Sequence, residues 1–306
     1  MPNKGLWMNQ SFFSKLESFS FLTISGEKAK EFLQGQLTCD LAHLKLSEAI
    51  FGSYCDYKGR VLANFWLWQQ DSERIHLLLP TTMREQLKKH LTKFALFSKV
   101  KIEENSTFKA LFYCSNSPMS SEGFNGKIQE NLVALAKIPV RLPNDYLLYL
   151  LVYEEVYDQS NLFSNSIKIF DETISNFLLV LSGICLIQPE TAELFIPQML
   201  SLDQLGAVSF RKGCYVGQEV IARTQHLGKL KRHLYRAKLV LSPSLKVGDN
   251  ILNSDQEVVG KVAAYSHDLT ESHVLGVIQD SVIGQPLLLA CELLKELSVV
   301  SFPEPI

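Results

Sequence analysis

The chain has few of the features that would quickly assign a protein to a class. Its six cysteines (39, 55, 114, 185, 214 and 291) form no CxxC pair and no Cys–His cluster at zinc spacing. Neither a disulfide framework nor a preformed zinc site therefore has support. No GxxxxGK[ST] loop occurs, which removes the basis for nucleotide hydrolysis. The seven histidines (43, 76, 90, 226, 233, 267 and 273) show neither triad nor ligand spacing. Sixteen Gly and eleven Pro in 306 residues exclude a collagenous or low-complexity chain. Charge of one sign is also lacking: 30 Lys+Arg against 32 Asp+Glu leave −2, which by itself names neither a nucleic-acid nor a membrane partner. The longest uncharged apolar stretch, 173–189, is interrupted by Ser, Asn and Gly and falls short of the ~20 residues that span a bilayer. With no apolar signal-peptide core near Met1, a soluble cytoplasmic protein without a membrane partner is expected.

What is present is an ordinary globular composition, 46% hydrophobic and 20% charged. Residues 19–25, 61–68 and 74–79 read as strands, as do 99–103, 107–114 and 146–153. Helices are expected over 28–33, closed by Gly35, and over 81–97, with Leu87, Leu91, Phe94 and Ala95 at spacings of three and four. The 173–189 stretch reads as a buried helix followed by a strand, and 115–126 as a variable loop. From 231 onward, short β-like runs at 231–241, 251–253, 257–265, 272–279 and 286–290 suggest a small antiparallel barrel. The expected fold class is therefore α+β. Residues 1–228 would form two subdomains divided near 100–170, and 229–306 the barrel.

The densest chemistry lies in Arg211-Lys212-Gly213-Cys214-Tyr215-Val216-Gly217-Gln218-Glu219-Val220-Ile221-Ala222-Arg223. Two glycines four apart imply a tight loop. Gly217 followed by Gln218 and Glu219 reads as a helix start, with the acidic residue placed favourably for the dipole. Cys214 beside Lys212 and Arg211, just before that helix, has the setting of a reactive thiol. The plain alternative is a small buried hydrophobe in a structural turn. Arg223 is read as a helix residue and Tyr215 as core. Trp66 and Trp68 share one strand face and are read as packing, as is Trp7.

KGCYVGQE, with Phe195-Ile196-Pro197-Gln198 upstream, resembles the signature of the YgfZ family of folate-binding iron–sulfur cluster assembly factors. Phe32-Leu33-Gln34-Gly35-Gln36-Leu37-Thr38 with Asp40, Cys55-Asp56-Tyr57-Lys58-Gly59-Arg60 and Phe97-Ser98-Lys99-Val100 resemble further family motifs in the same order. The resemblance implies the fold of the glycine-cleavage T-protein: ferredoxin-like α+β subdomains, a C-terminal β-barrel and a central folate channel. It implies that Cys214, with Lys212, Gly213, Tyr215, Gly217, Gln218, Glu219 and Arg223, forms the functional site. Asp56, Lys58, Gly59 and Arg60 would lie close by and share folate binding with Phe19 and Asn64. Cys214 would ligate iron or enter a mixed disulfide as the thiolate, and Lys212 or Arg211 would hold its charge or grip a folate carboxylate. One thiol cannot hold a stable [4Fe–4S] cluster, so a cluster would be transient or shared with assembly machinery or client proteins.

Two departures from the family pattern stand out. Asn64 occupies the place of the aspartate that serves one-carbon chemistry in T-proteins. An amide cannot act as a carboxylate base, which argues against a tetrahydrofolate-dependent aminomethyl transferase. Phe19 and Ser175 stand where the family places tryptophans. Phe19 can stack on a pterin but Ser175 cannot, unless Phe177 substitutes, so binding of tetrahydrofolate or a derivative is expected to be weakened.

The net charge also conceals an asymmetry. Residues 211–238 hold eight cations (211, 212, 223, 229, 231, 232, 236 and 238) opposed by Glu219 alone. That segment carries +7 and the rest of the chain −9. It reads as a solvated basic face, or as a docking strip for a folate polyglutamate tail or for tRNA.

Overall fold

The structure, a computed structural model, describes residues 10–118, 132–140, 142, 145–154, 167–240, 244–267, 271–290 and 295–301. In chain order the strands are β1 Phe12–Lys15, β2 Phe19–Ser25, β3 Ala49–Cys55, β4 Val61–Gln69, β5 Arg74–Pro80, β6 Lys101–Asn105, β7 Phe108–Ser115, β8 Leu132–Ile138, β9 Leu147–Glu154, β10 Lys168–Phe170, β11 Arg232–Val240, β12 Asn250–Leu252, β13 Val258–His267, β14 Glu271–Gln279, β15 Leu287–Leu289 and β16 Lys295–Ser301. The helices are α1 Ala29–Gln36, α2 Thr81–Ser98, α3 Glu172–Leu181 and α4 Gln218–His226. Most of the loop expected at 115–126, together with Trp7 and Cys291, lies outside the described residues.

Three sheets organise these elements. One five-stranded sheet has the order β3-β4-β5-β2-β6 and is antiparallel throughout. A second runs β10-β1-β7-β9-β8, with β1 and β10 parallel. The third is a closed antiparallel barrel, β11-β14-β13-β12-β15-β16. β16 had no counterpart in the sequence reading; it closes the barrel by pairing with β11 and β15, which removes both sheet edges.

Burial explains the local choices. Every residue of β4 is buried, because the strand lies inside its sheet with both faces covered, so its sequence is apolar except at Asn64 and Gln69. On α2, Met83, Leu87, Leu91 and Ala95 form one buried stripe, the helical spacing of an amphipathic face. Phe94 of the expected stripe is turned outward and exposed. Asp171 caps α3 by accepting a hydrogen bond from the Thr173 N–H at 3.0 Å.

Two expectations are corrected. Helix α1 does not stop at Gly35 but runs through it to Gln36. The strand expected after α3 does not form. Residues 184–187 are buried without belonging to any sheet, and two of their backbone groups, the Cys185 carbonyl and the Ile187 N–H, are bonded by a side chain, Asn64, described below.

His76 lies on β5 and is almost fully buried, stacked on Trp68 at 5.1 Å and edge-on to Phe108 at 4.9 Å. Its Nδ1 and Nε2 hydrogen-bond with Thr23 Oγ1 at 2.9 Å and Gln70 Oε1 at 2.7 Å. Burial pulls its pKa down from 6.5 to about 4, with the Arg74 charge adding to the drop. The unfolded chain therefore takes up a proton that the folded chain refuses. The stability His76 contributes is complete above pH 6.5 and drains away as pH falls towards 4. At 1.4 kcal/mol per tenfold change in proton affinity, this amounts to about 3 kcal/mol. Urea unfolding across pH 4–7 should show that slope, and His76→Gln should flatten it.

Candidate functional site

The turn after β3 and the loop before α4 meet back to back. In the turn, Asp56 Oδ1 accepts the Lys58 and Arg60 N–H groups at 2.9 and 2.8 Å. The Asp56 N–H donates to the Arg60 carbonyl at 2.9 Å, and the Gly59 N–H donates to the Asp56 carbonyl at 3.0 Å. Gly59 and Gly217 both take left-handed backbone conformations, with φ of 72° and 81°. A Cβ on Gly217 would lie 2.5 Å from the Asp56 carbonyl oxygen and 2.9 Å from Gly59 Cα. The two motifs thus meet along a backbone-to-backbone seam that only glycine admits.

Arg60 ties the turn to a third segment, donating from Nη1 to the Glu193 carbonyl at 3.0 Å. The Val61 N–H donates to the Phe195 carbonyl, and the Glu193 N–H to the Val61 carbonyl, each at 2.8 Å. Gln198, in the short 3₁₀ turn Pro197–Leu200, donates from Nε2 to the Ile221 carbonyl inside α4 at 2.8 Å. The structure therefore brings together the 195–198, 55–60 and 211–223 motifs.

Lys212 does not play the part its sequence position suggested. It is 8% exposed, and Nζ donates to the carbonyls of Gln34, Leu37 and Cys39 at 2.6, 2.8 and 2.7 Å. Its three N–H donors are spent on the C-terminal end of α1 and the chain just beyond it, where unpaired carbonyls and the helix dipole favour a cation. Nζ also lies 5.1 Å from the centroid of the Tyr215 ring. Burial pulls the Lys212 pKa down, against the opposing pull of Cys39 and Asp40. Lys212 is a clasp joining the 32–40 motif to the Cys214 loop; it has no donor left for a thiolate or a folate carboxylate.

Cys214 itself is exposed, whereas Cys39, Cys55, Cys114 and Cys185 are buried. Burial pushes Cys39, Cys114 and Cys185 up to about 12 and raises Cys55 as well, which makes them inert thiols. Around Cys214, Arg211, Gly213, Glu219 and Arg223 are exposed and Gln218 is half-buried. Tyr215 is core, its hydroxyl pushed up to about 12 by burial, with Cys55 adding to the shift. On the turn, Tyr57 is 76% exposed, with Lys58 Nζ 5.4 Å from its ring centroid. Tyr57 lay inside the recognised motif but was not singled out; its exposure comes from the turn geometry, which sequence does not show. Among the described residues, no three His, Cys, Asp or Glu side chains converge as a metal site.

The expected folate residues divide. Asn64 is 1% exposed. Its Nδ2 donates to the Cys185 carbonyl at 2.7 Å, and its Oδ1 accepts the Ile187 N–H at 2.8 Å. The amide imitates a strand partner for 185–187 and is buried there. Ser175 is also buried, its hydroxyl within hydrogen-bonding reach of Ser14 Oγ at 2.8 Å and the Lys15 carbonyl at 2.7 Å. Phe177 packs edge-on against His273 at 5.0 Å. Phe19 lines open space. It borders a cavity of about 430 Å³, shared with Asn176, Gln188, Lys246 and Tyr265, and another of about 490 Å³ between the two sheets.

The fifth motif, 97–100, lies elsewhere. Ser25 pairs with Lys101 and Arg74, whereas Cys55 pairs with Val61, so α2 ends at the opposite edge of the sheet from the Cys55 turn. There Phe97 is exposed and Lys99 closes the helix in a left-handed conformation. Of the eight cations in 211–238, Lys212 and Arg236 are used internally. Arg236 donates from Nη1 to the Leu181 carbonyl at 3.1 Å, and burial lowers its pKa.

Comparison with known proteins gives a consistent picture. No protein-family model matches the chain. It is 32% identical over 232 residues to the tRNA-modifying protein YgfZ of Colwellia psychrerythraea, an alignment covering 74% of this chain and 71% of that protein. It is 32% identical over 224 residues to the protein of the same name from Photobacterium profundum, covering 72% and 68%. Among solved structures, the glycine cleavage system aminomethyltransferase T of Bartonella henselae superposes with a TM-score of 0.71. That match covers 96% of this chain and 86% of that one at 15% identity, a likeness of fold.

Proposed function

The chain belongs to the YgfZ family, and from that premise we propose that it supports tRNA modification by assisting the iron–sulfur enzymes that carry it out, with Cys214 as the working thiol. The observation that carries this reading is the contrast among cysteines. Four described thiols are buried, while Cys214 stands exposed on a loop braced from three sides. A thiolate there is a ligand for iron. Since no three His, Cys, Asp or Glu side chains converge among the described residues, the chain on this reading lends one ligand to a cluster held by a client. The cytoplasm is the compartment this role requires.

Folate, on this reading, occupies the 430 Å³ cavity. Phe19 and Tyr265 offer aromatic faces to a pterin, Gln188 and Asn176 offer amides, and Lys246 offers a cation to a glutamate carboxylate. Folate supplies a one-carbon carrier when bound. Asn64, bonded to residues 185 and 187, is an amide and cannot serve as the carboxylate base of aminomethyl transfer, so on this reading the folate is bound rather than turned over by that residue.

Cells lacking the protein and complemented with Cys214→Ala should lose the activity of tRNA-modifying iron–sulfur enzymes to the level of the deletion, while the variant accumulates normally. Full activity in that strain would refute the cysteine-centred reading.

A further inference from the structure

Seven cations surround the Cys214 loop: Lys58, Arg60, Arg211, Arg223, Lys229, Lys231 and Arg232 are all exposed, Arg60 also bonding from Nη1 to the Glu193 carbonyl. They come from three segments that the fold joins. The 56–60 turn sits on the first turn of α4 through the Gly59–Gly217 seam. The Phe210 ring lies 6.3 Å from that of His226, which sets Arg211 beside the last turn of α4. From there the chain runs through Lys229 and Lys231 into β11, fixed by the Asp280 N–H donating to the Lys231 carbonyl at 3.0 Å. None of the seven forms an ion pair with a described residue. On the same segments the exposed carboxylates are Glu193 and Glu219, and Asp56 is occupied by its own turn.

We propose that this band docks the phosphate backbone of a structured RNA and delivers it alongside Cys214. A protein interface of this size would need a contiguous apolar centre and would be poor in lysine. Here the exposed apolar side chains are scattered: Tyr57 on the turn, Leu194 beside Glu193 and Leu227 past the end of α4. Phosphate docking needs only cations that follow the strand, and Tyr57 adds a face on which an unpaired base can stack. The choice of RNA over DNA rests on the tRNA-modifying reading above; the phosphate docking does not.

The test is fluorescence anisotropy with an unmodified tRNA transcript from 50 to 200 mM salt. With about five phosphate contacts, affinity should fall by about 10²–10³-fold over that range. In Arg223→Ala/Lys229→Ala/Arg232→Ala the fall should shrink to about tenfold. Neutralising Lys89 and Lys93 on α2 should change nothing, which controls for bulk charge. Cys214→Ala should bind as tightly as the parent, so RNA docking and the cysteine chemistry fail separately. The proposal is overturned by absence of binding at 50 mM salt, or by binding indifferent to the triple substitution in a variant that melts like the parent. Tighter binding of poly-glutamate or of a DNA duplex than of tRNA would overturn it as well.

Discussion

Replacing Lys212 with methionine is expected to lower the unfolding free energy by about 3–5 kcal/mol, placing a lysine of the Cys214 loop among the strongest determinants of the fold. Methionine matches the stem and fills its volume, but it leaves the carbonyls of Gln34, Leu37 and Cys39 without the donor that reaches them at 2.6–2.8 Å. An acceptor buried without its partner costs about 1–3 kcal/mol. Release of the buried ammonium, whose pKa is already pulled down by burial, returns part of that and sets the lower end of the range. Arginine should not rescue fully, because a planar fork cannot meet three carbonyls converging on one point. The distinguishing readout is hydrogen exchange: amides of 33–39 and of 209–216 should lose protection together, since Lys212 joins those segments. A methionine variant as stable as the parent, with exchange unchanged, would dismiss the clasp.

The clasp also marks where the sequence ceased to be legible. Strands β2, β4 and β5 were read within two residues of their bounds, because mainly apolar runs and polar turns report burial directly. The barrel was read as five of its six strands for the same reason. The end of α1 was not. Gly35 looked like a stop signal, yet the helix passes through it, and its last carbonyls are capped by an ammonium 178 residues later in the chain. The segment after α3 was equally opaque. Its apolar residues promised a strand, but two of the hydrogen bonds that a neighbouring strand would supply come from one amide, Asn64. In both places a side chain does the work of a backbone, and no local pattern records it. The Cys214 motif was found because it is dense. The direction in which Lys212 points was not, because adjacency in sequence says nothing about which way a long side chain turns.

The two glycines flanking Cys214 should part sharply when each is changed to alanine, and this contrast tests whether the motifs form one site. Gly213 has no heavy atom within 4 Å of where its Cβ would go and does not take the left-handed conformation. Gly213→Ala should therefore stay within about 0.5 kcal/mol of the parent. Gly217 sits at φ 81°, and its Cβ would meet the Asp56 carbonyl oxygen at 2.5 Å and Gly59 Cα at 2.9 Å. The conformation alone costs about 1 kcal/mol. Both obstructing atoms are backbone, so relief requires the 55–60 turn and the start of α4 to separate, for a total of about 3–4 kcal/mol. Separation would free Arg60 from the Glu193 carbonyl and remove the support beneath Cys214, although the cysteine itself is untouched. Support of iron–sulfur enzymes should then fall towards the Cys214→Ala level in Gly217→Ala and be retained in Gly213→Ala. If both alanine variants behaved alike, the seam would be incidental and Cys214 would act as an isolated thiol. If they diverge, the thiol works only where the 55–60 turn holds it, and the turn belongs to the site as fully as the cysteine does.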